Sequence, residues 1–183
     1  MRYIYFILIF LFSLNLSNLK AEDKDIALNK LFNELKVNNI SLSYKAEQKI
    51  WKLWITHPKN KDLTKMLAKG SDLVNKQKLN EAIIIFSNVI DLDPTWAEAW
   101  NKRATVLYMV GKFQKSQDDI DKVLELEARH FGALAGQGLV NIKLENYEKA
   151  IKSYEKAQQI YPMMKSPKIM IEQIKELIKR QSI

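Results

Sequence analysis

The feature that most constrains this chain is a 34-residue period running through residues 63–164 without a gap. Aligned from Leu63, Ala97 and Phe131, the fourth position reads Met66, Trp100 and Leu134, and the eighth reads Gly70, Ala104 and Gly138. The eleventh reads Leu73, Leu107 and Asn141, the seventeenth Leu79, Phe113 and Tyr147, and the twentieth Ala82, Ser116 and Ala150. The twenty-fourth reads Phe86, Ile120 and Tyr154, the twenty-seventh Val89, Val123 and Ala157, and the thirty-second Pro94, Ala128 and Pro162.

A period of this length predicts two antiparallel helices per unit, A then B. Small side chains at the eighth and twentieth positions let the two backbones approach, and large ones around them fill the remaining space. Proline at the thirty-second cannot continue helix B, because it lacks an N–H and clashes with the preceding turn. Gly111 falls where the A–B turn wants a permissive backbone. Thr95 and Glu98 have the spacing of a capping box opening the second A helix.

The flanks also read as helices. Residues 22–60 predict a helical hairpin covering the first repeat, with Ile26, Leu28, Leu31, Phe32 and Leu35 on one helix. Ile50, Trp51, Leu53, Trp54 and Ile55 lie on the other, which ends at His57-Pro58. Residues 165–183 predict a last, capping helix with Ser166 and Pro167 as N-cap and first residue. Ile171, Ile174, Leu177 and Ile178 give its apolar stripe.

This pattern resembles the tetratricopeptide repeat (TPR) family in three units, 63–96, 97–130 and 131–164. The resemblance implies an all-α solenoid of three helix-turn-helix repeats, with the hairpin before it and the capping helix after it. Lys69, Arg103 and Gln137 depart from the leucine usual at the seventh position, Asn141 from the aromatic at the eleventh, and Ala128 from proline. These departures are expected to weaken individual repeats. The stretches 97–105, 129–136 and 50–54 resemble, more narrowly, small exported bacterial TPR proteins, a family that implies no reaction.

The termini and composition bound the compartment and the chemistry. Met1 and Arg2 precede an almost wholly apolar run from Tyr3 to Leu16, and a polar stretch then ends at Ala21. That order predicts a secretory signal peptide over residues 1–21 and a bacterial periplasmic protein. The alternative is an uncleaved inner-membrane anchor, a route to membrane association through the N-terminus. The chain has no cysteine, which excludes disulfides, thiolate metal sites and cysteine nucleophiles. The net charge of +8 comes with mixed signs throughout, so nucleic acid is not the expected partner.

No catalytic set emerges, and no cofactor or metal is expected. His57 and His130 lie in separate loops without a carboxylate at ligand spacing, and read as structural or solvated. Asp118, Asp119 and Asp121 read as a solvated face. Gly132, Gly136 and Gly138 read as close-packing positions on a helix rather than a phosphate loop. Trp51 and Trp54 read as anchors of the hairpin, Trp96 as packed between units, and Trp100 as core.

What remains is the concave surface. The family resemblance implies that A-helix positions 2, 5, 9, 12 and 13 face a groove. In this chain the candidates are Leu67, Ser71 and Val74 in the first repeat. The second supplies Glu98, Asn101, Thr105, Tyr108 and Met109, and the third Ala135, Leu139 and Ile142. The surface suits an extended peptide or a helix of another protein. The carboxylate clamp of the chaperone-binding subclass is not expected, since Leu67 and Ser71 stand at the first of its positions. The expected function is therefore a non-enzymatic exported adaptor or scaffold, with a membrane-tethered assembly factor as the alternative and an envelope hydrolase or metal enzyme the remaining one.

Overall fold

The computed structural model describes residues 24–181, which form nine helices and no strand. The expected signal peptide and the last two residues lie outside the described residues. Helix α1 spans 24–35 and α2 spans Ile40–Ile55; α3 (Lys61–Asn75) and α4 (Leu79–Leu92) follow. Then come α5 (Ala97–Met109), α6 (Phe113–Leu126), α7 (Phe131–Lys143), α8 (Tyr147–Ile160) and α9 (Lys165–Gln181). The pairs α3/α4, α5/α6 and α7/α8 stack in chain order.

Close approach inside each pair follows from the small residues. A Cβ placed on Gly138 would fall 2.5 Å from the Tyr154 ring, and one on Gly70 would enter the ring of Phe86. In the middle pair Ala104 does the same work, and the Ser116 hydroxyl donates to the Ala104 carbonyl at 2.8 Å. The three A–B turns share one device. Gln77, Gly111 and Glu145 occupy the same repeat position and have φ of 59°, 75° and 60°. The next residue's N–H donates back to the carbonyl of Leu73, Leu107 or Asn141, the hydrogen bonding of a Schellman cap.

The departures at the seventh position build a second device. The Arg103 guanidinium donates twice to the Asp119 carboxylate, at 2.8 Å each, and to the Ser87 hydroxyl on the preceding B helix. Gln137, one period later, donates to Asp121 and accepts from Ser153. A polar residue at this position thus ties α5 and α7 each to two successive B helices, while Lys69 of α3 is exposed. Asp119 is accordingly buried, not part of a solvated acidic face. Asn141 is buried too, donating to Gln117 and to the Gln137 carbonyl.

The hairpin lies elsewhere than the sequence suggests. Leu28, Leu31, Phe32 and Leu35 of α1 share one face, as do Ala46, Ile50 and Trp54 of α2. These residues form one cluster with Phe131, which opens α7, and Tyr161, which follows α8. The hairpin therefore does not cap the first repeat; it lies along the inter-repeat loops, from Trp96 through His130 to Tyr161. The physical reason is the aromatic content of those loops, which gives the apolar faces of α1 and α2 their partner.

Two smaller expectations also change. Thr95 bonds Asp93 rather than capping α5, and Glu98 is drawn inward instead. Helix α9 begins at Lys165, so Ser166 and Pro167 lie inside its first turn. Ile171 and Ile174 pack on Ala150 and Tyr154, while Leu177 is exposed.

Candidate functional site

Two histidine–carboxylate pairs lock the hairpin to the repeats. His57 Nε2 lies 2.7 Å from Asp93 Oδ2, and its Nδ1 accepts from the backbone of Lys59 and Asn60. His130 Nε2 lies 3.0 Å from Glu98 Oε2, and its Nδ1 accepts from Ala133 N, capping α7. Trp54 stacks on the His130 ring, and its carbonyl accepts from Trp96 Nε1 at 2.8 Å. Both histidines are buried, neither solvated.

The electrostatics of these pairs are coupled to burial. Burial pushes the Glu98 carboxyl up, but the His130 hydrogen bond and charge, aided by Lys102, hold it below the ordinary carboxylate value. Burial likewise raises Asp93, and its bonds from Thr95 and His57 bring it below its usual range. With His130 fully enclosed, this pair has no access for a substrate. Among the described residues no group of three or more His, Asp or Glu can hold a metal ion.

The residues expected to line the groove divide into two sets. Leu67 is buried in the core of the first repeats, and Glu98 is sealed under His130. Asn101 is largely buried, its amide donating to Glu98 at 3.1 Å, yet it still lines the cleft between α5 and α7. The resemblance implies an open concave face, whereas here Leu67 joins the core cluster of Phe86, Trp96 and Val106, and His130, stacked on Trp54 of α2, covers Glu98.

The other set stays accessible. Thr105, Met109 and Leu139 are exposed, and Ser71, Val74, Tyr108, Ala135 and Ile142 are half-buried. Ala135 and Ile142 pack against the cluster of Ala150, Tyr154, Ile171 and Ile174, whereas between α5 and α7 a small apolar cleft of about 80 Å³ is lined by Thr105, Tyr108, Gly136 and Leu139 among others. Tyr108 packs on Phe113 at 5.4 Å between rings, which holds it in place.

Helix α2 adds residues that the repeat register could not indicate. Ile40, Tyr44 and Ile55 are exposed and fall on the same helical stripe as Trp51. Since Trp51 meets Gly132, this stripe borders the concave face. The i, i+4 spacing of Ile40 and Tyr44 is legible in sequence, but without knowing where α2 docks it gives no address.

The comparisons with known proteins agree with the repeat. The tetratricopeptide repeat family model matches residues 131–163. A TPR repeat-containing protein of Rhizobium etli is 38% identical over 98 residues, covering 53% of this chain and 48% of that protein. Among solved structures, MamA is 25% identical with a TM-score of 0.60, covering 74% of this chain and 77% of that one. The first TPR of Spaghetti (RPAP3), bound to the HSP90 peptide SRMEEVD, has a TM-score of 0.62 at 21% identity, covering 64% and 93%.

The chain carries a tetratricopeptide repeat at residues 131–163. It is an all-α TPR array, and α9 starts one period after α7, in the place of a fourth A helix. The chain spans about half the length of the Rhizobium etli relative, and 15% of the Hsp70-Hsp90 organizing protein 1 of Glycine max, to which it is 28% identical over 86 residues.

Proposed function

We propose that this TPR protein is a non-catalytic interaction module that docks a segment of another protein on the open half of its concave face. One observation carries the reading: Met109 and Leu139 are large apolar residues left exposed on neighbouring A helices, beside a preformed cleft. Tyr44 and Ile55 of α2 supply a facing apolar border. A helix or extended strand with alternate apolar side chains would bury both sides at once.

The fold favours this reading, because it holds peptides in related structures. The Spaghetti domain binds an HSP90 peptide, and the TPR2B domain of yeast Sti1 forms a complex with Hsp70. The chemistry of the partner differs in this proposal. Leu67 is buried where the chaperone-binding subclass places a lysine, so an apolar segment rather than an acidic C-terminus is the ligand.

The test is binding of peptides selected by display against the folded chain, mapped by backbone amide shifts. A selected peptide should perturb Thr105, Tyr108 and Leu139. Met109→Lys and Leu139→Lys should each weaken it tenfold or more by placing a charge in an apolar contact. Undiminished binding by both variants would reject the groove as the working surface.

Export is part of the proposal. The Arg2, apolar-run and Ala21 order supports removal of residues 1–21 and a periplasmic protein, with a retained inner-membrane anchor as the other form. A mature N-terminus at Glu22 would select the first, and an intact Met1 the second.

A further inference from the structure

The outer face of the hairpin, turned away from the repeats, is rich in lysine, as α9 is, but it alone of the two carries an apolar furrow between two helices. Lys30, Lys36, Lys45, Lys49, Lys52 and Lys59 are all exposed, and none lies within 4 Å of a carboxylate of the described residues. Over residues 24–59 seven lysines face only three acids, Asp25, Glu34 and Glu47. Glu47 is engaged, accepting from the Tyr161 hydroxyl at 3.1 Å.

Between α1 and α2 this face holds an open furrow of about 460 Å³. Ala27, Leu31 and Leu53 form its floor, and Lys30, Lys49 and Lys52, with the single acid Glu34 and Thr56, its rim. Ile26, at the start of the hairpin, and Val37, at its turn, stand exposed at opposite ends. Lysines around apolar residues on a helical surface are the composition of a face that rests on a bilayer, where the stems lie along the apolar layer and the ammonium groups meet phosphates.

We infer that this face of α1 and α2 binds the surface of an anionic lipid bilayer. A bilayer is favoured over an acidic protein by the chain that leads into α1. The apolar run Tyr3 to Leu16 lies only residues 17–23 away from it, a tether of at most about 25 Å. Whenever that run is in a membrane, α1 is held at the lipid surface. Charge supplies the attraction, since each juxtamembrane lysine adds to binding at an anionic leaflet. The concave groove opens on another side of α2, so lipid and a docked segment do not compete.

The experiment uses a chain starting at residue 22, which keeps every described helix and contact but lacks the apolar run. Binding is read by co-sedimentation with vesicles of phosphatidylcholine containing 30% phosphatidylglycerol, and with phosphatidylcholine alone. Binding is expected only to the anionic vesicles, falling steeply between 50 and 300 mM salt. The variant K30E/K49E/K52E should bind about a hundredfold less tightly. The charge-matched control K168E/K175E/K179E, on the exposed side of α9, should bind like the unmodified chain.

Equal loss in both triple variants would mean that net charge alone acts, and would overturn the assignment. So would equal binding to neutral vesicles, no binding to anionic vesicles, or selective capture of an acidic peptide by this face without any lipid binding. The lysines are exposed, so unchanged thermal melting of both variants separates lipid binding from folding. Peptide binding in the groove is unaffected by either triple variant, which separates this inference from the proposed function.

Discussion

The imidazole of His130 lies flat on the indole of Trp54, with ring centroids 3.9 Å apart and planes 10° apart. This stack joins α2 to the start of α7, and it decides how the hairpin and the array hold each other. His130 also caps α7 and binds Glu98 of α5, so one side chain ties three helices together.

Replacing Trp54 with alanine should therefore do more than thin the core. The loss is expected to be about 3–5 kcal/mol, the range for removing a buried aromatic ring. It should fall first on the hairpin: amide exchange protection should collapse in α1 and α2 while α7 and α8 keep theirs. Trp54→Phe should cost much less, because the indole N–H has no hydrogen-bond partner to lose among the described residues. Uniform loss of protection along the chain in Trp54→Ala would mean that hairpin and repeats unfold as one unit.

The repeats were legible in sequence because their signal is local and periodic. Gly70 with Phe86, and Gly138 with Tyr154, recur at fixed spacing, so each unit states its own packing. The docking of the hairpin was not legible, because Trp54 and His130 meet only after three repeats have stacked. The same cause hid part of the groove. Glu98 sits at a groove position by register, yet becomes a buried partner of His130 once α2 covers that end. Arg103 looks like a departure from the repeat, and Asp119 like part of a solvated face, until the packing of α5 on α6 brings one beside the other.

Acid should weaken the protein through Glu98 and Asp93. Both carboxyls have folded values below their ordinary ones, 4.5 for Glu and 3.8 for Asp. The unfolded chain thus binds protons more readily, and the stabilisation is fully present above the ordinary value of 4.5 and is lost below it, as pH falls through the lower folded-state values. The melting temperature should hold near neutrality and drop in acid. Glu98→Gln should melt lower at pH 7 and lose part of its acid dependence. An acid limb equally steep in that variant would assign the effect to other groups.

The glycines of α7 should separate by function when each is changed to alanine. Gly138→Ala puts a methyl group 2.5 Å from the Tyr154 ring and should cost about 1–3 kcal/mol. Gly136→Ala meets only Ile120, at 3.6 Å, which is ordinary contact. It should stabilise the helix by up to about 1 kcal/mol. Close packing therefore explains Gly138 but not Gly136, contrary to the expectation from sequence that both serve it. Urea midpoints moving in opposite directions would establish the distinction; a destabilising Gly136→Ala would show that the α6–α7 contact is tighter than its geometry indicates.

The A–B turns offer a gain in stability. Gln77 and Glu145 hold φ of 59° and 60°, a left-handed conformation in which a Cβ crowds the following carbonyl, while Gly111 meets the same demand without one. Gln77→Gly and Glu145→Gly should each raise stability by about 0.5–1 kcal/mol, since relief of the clash outweighs the extra freedom of glycine in the unfolded chain. Gly111→Ala should lower it by a similar amount, although nothing lies within 4 Å of the added methyl group. The two gains should add, because the turns belong to separate repeats and share no partner. Thermal melts of the single and double variants test this directly. Two neutral substitutions would show that the Schellman hydrogen bonds, and not the side chain at the turn, set the stability of these connections.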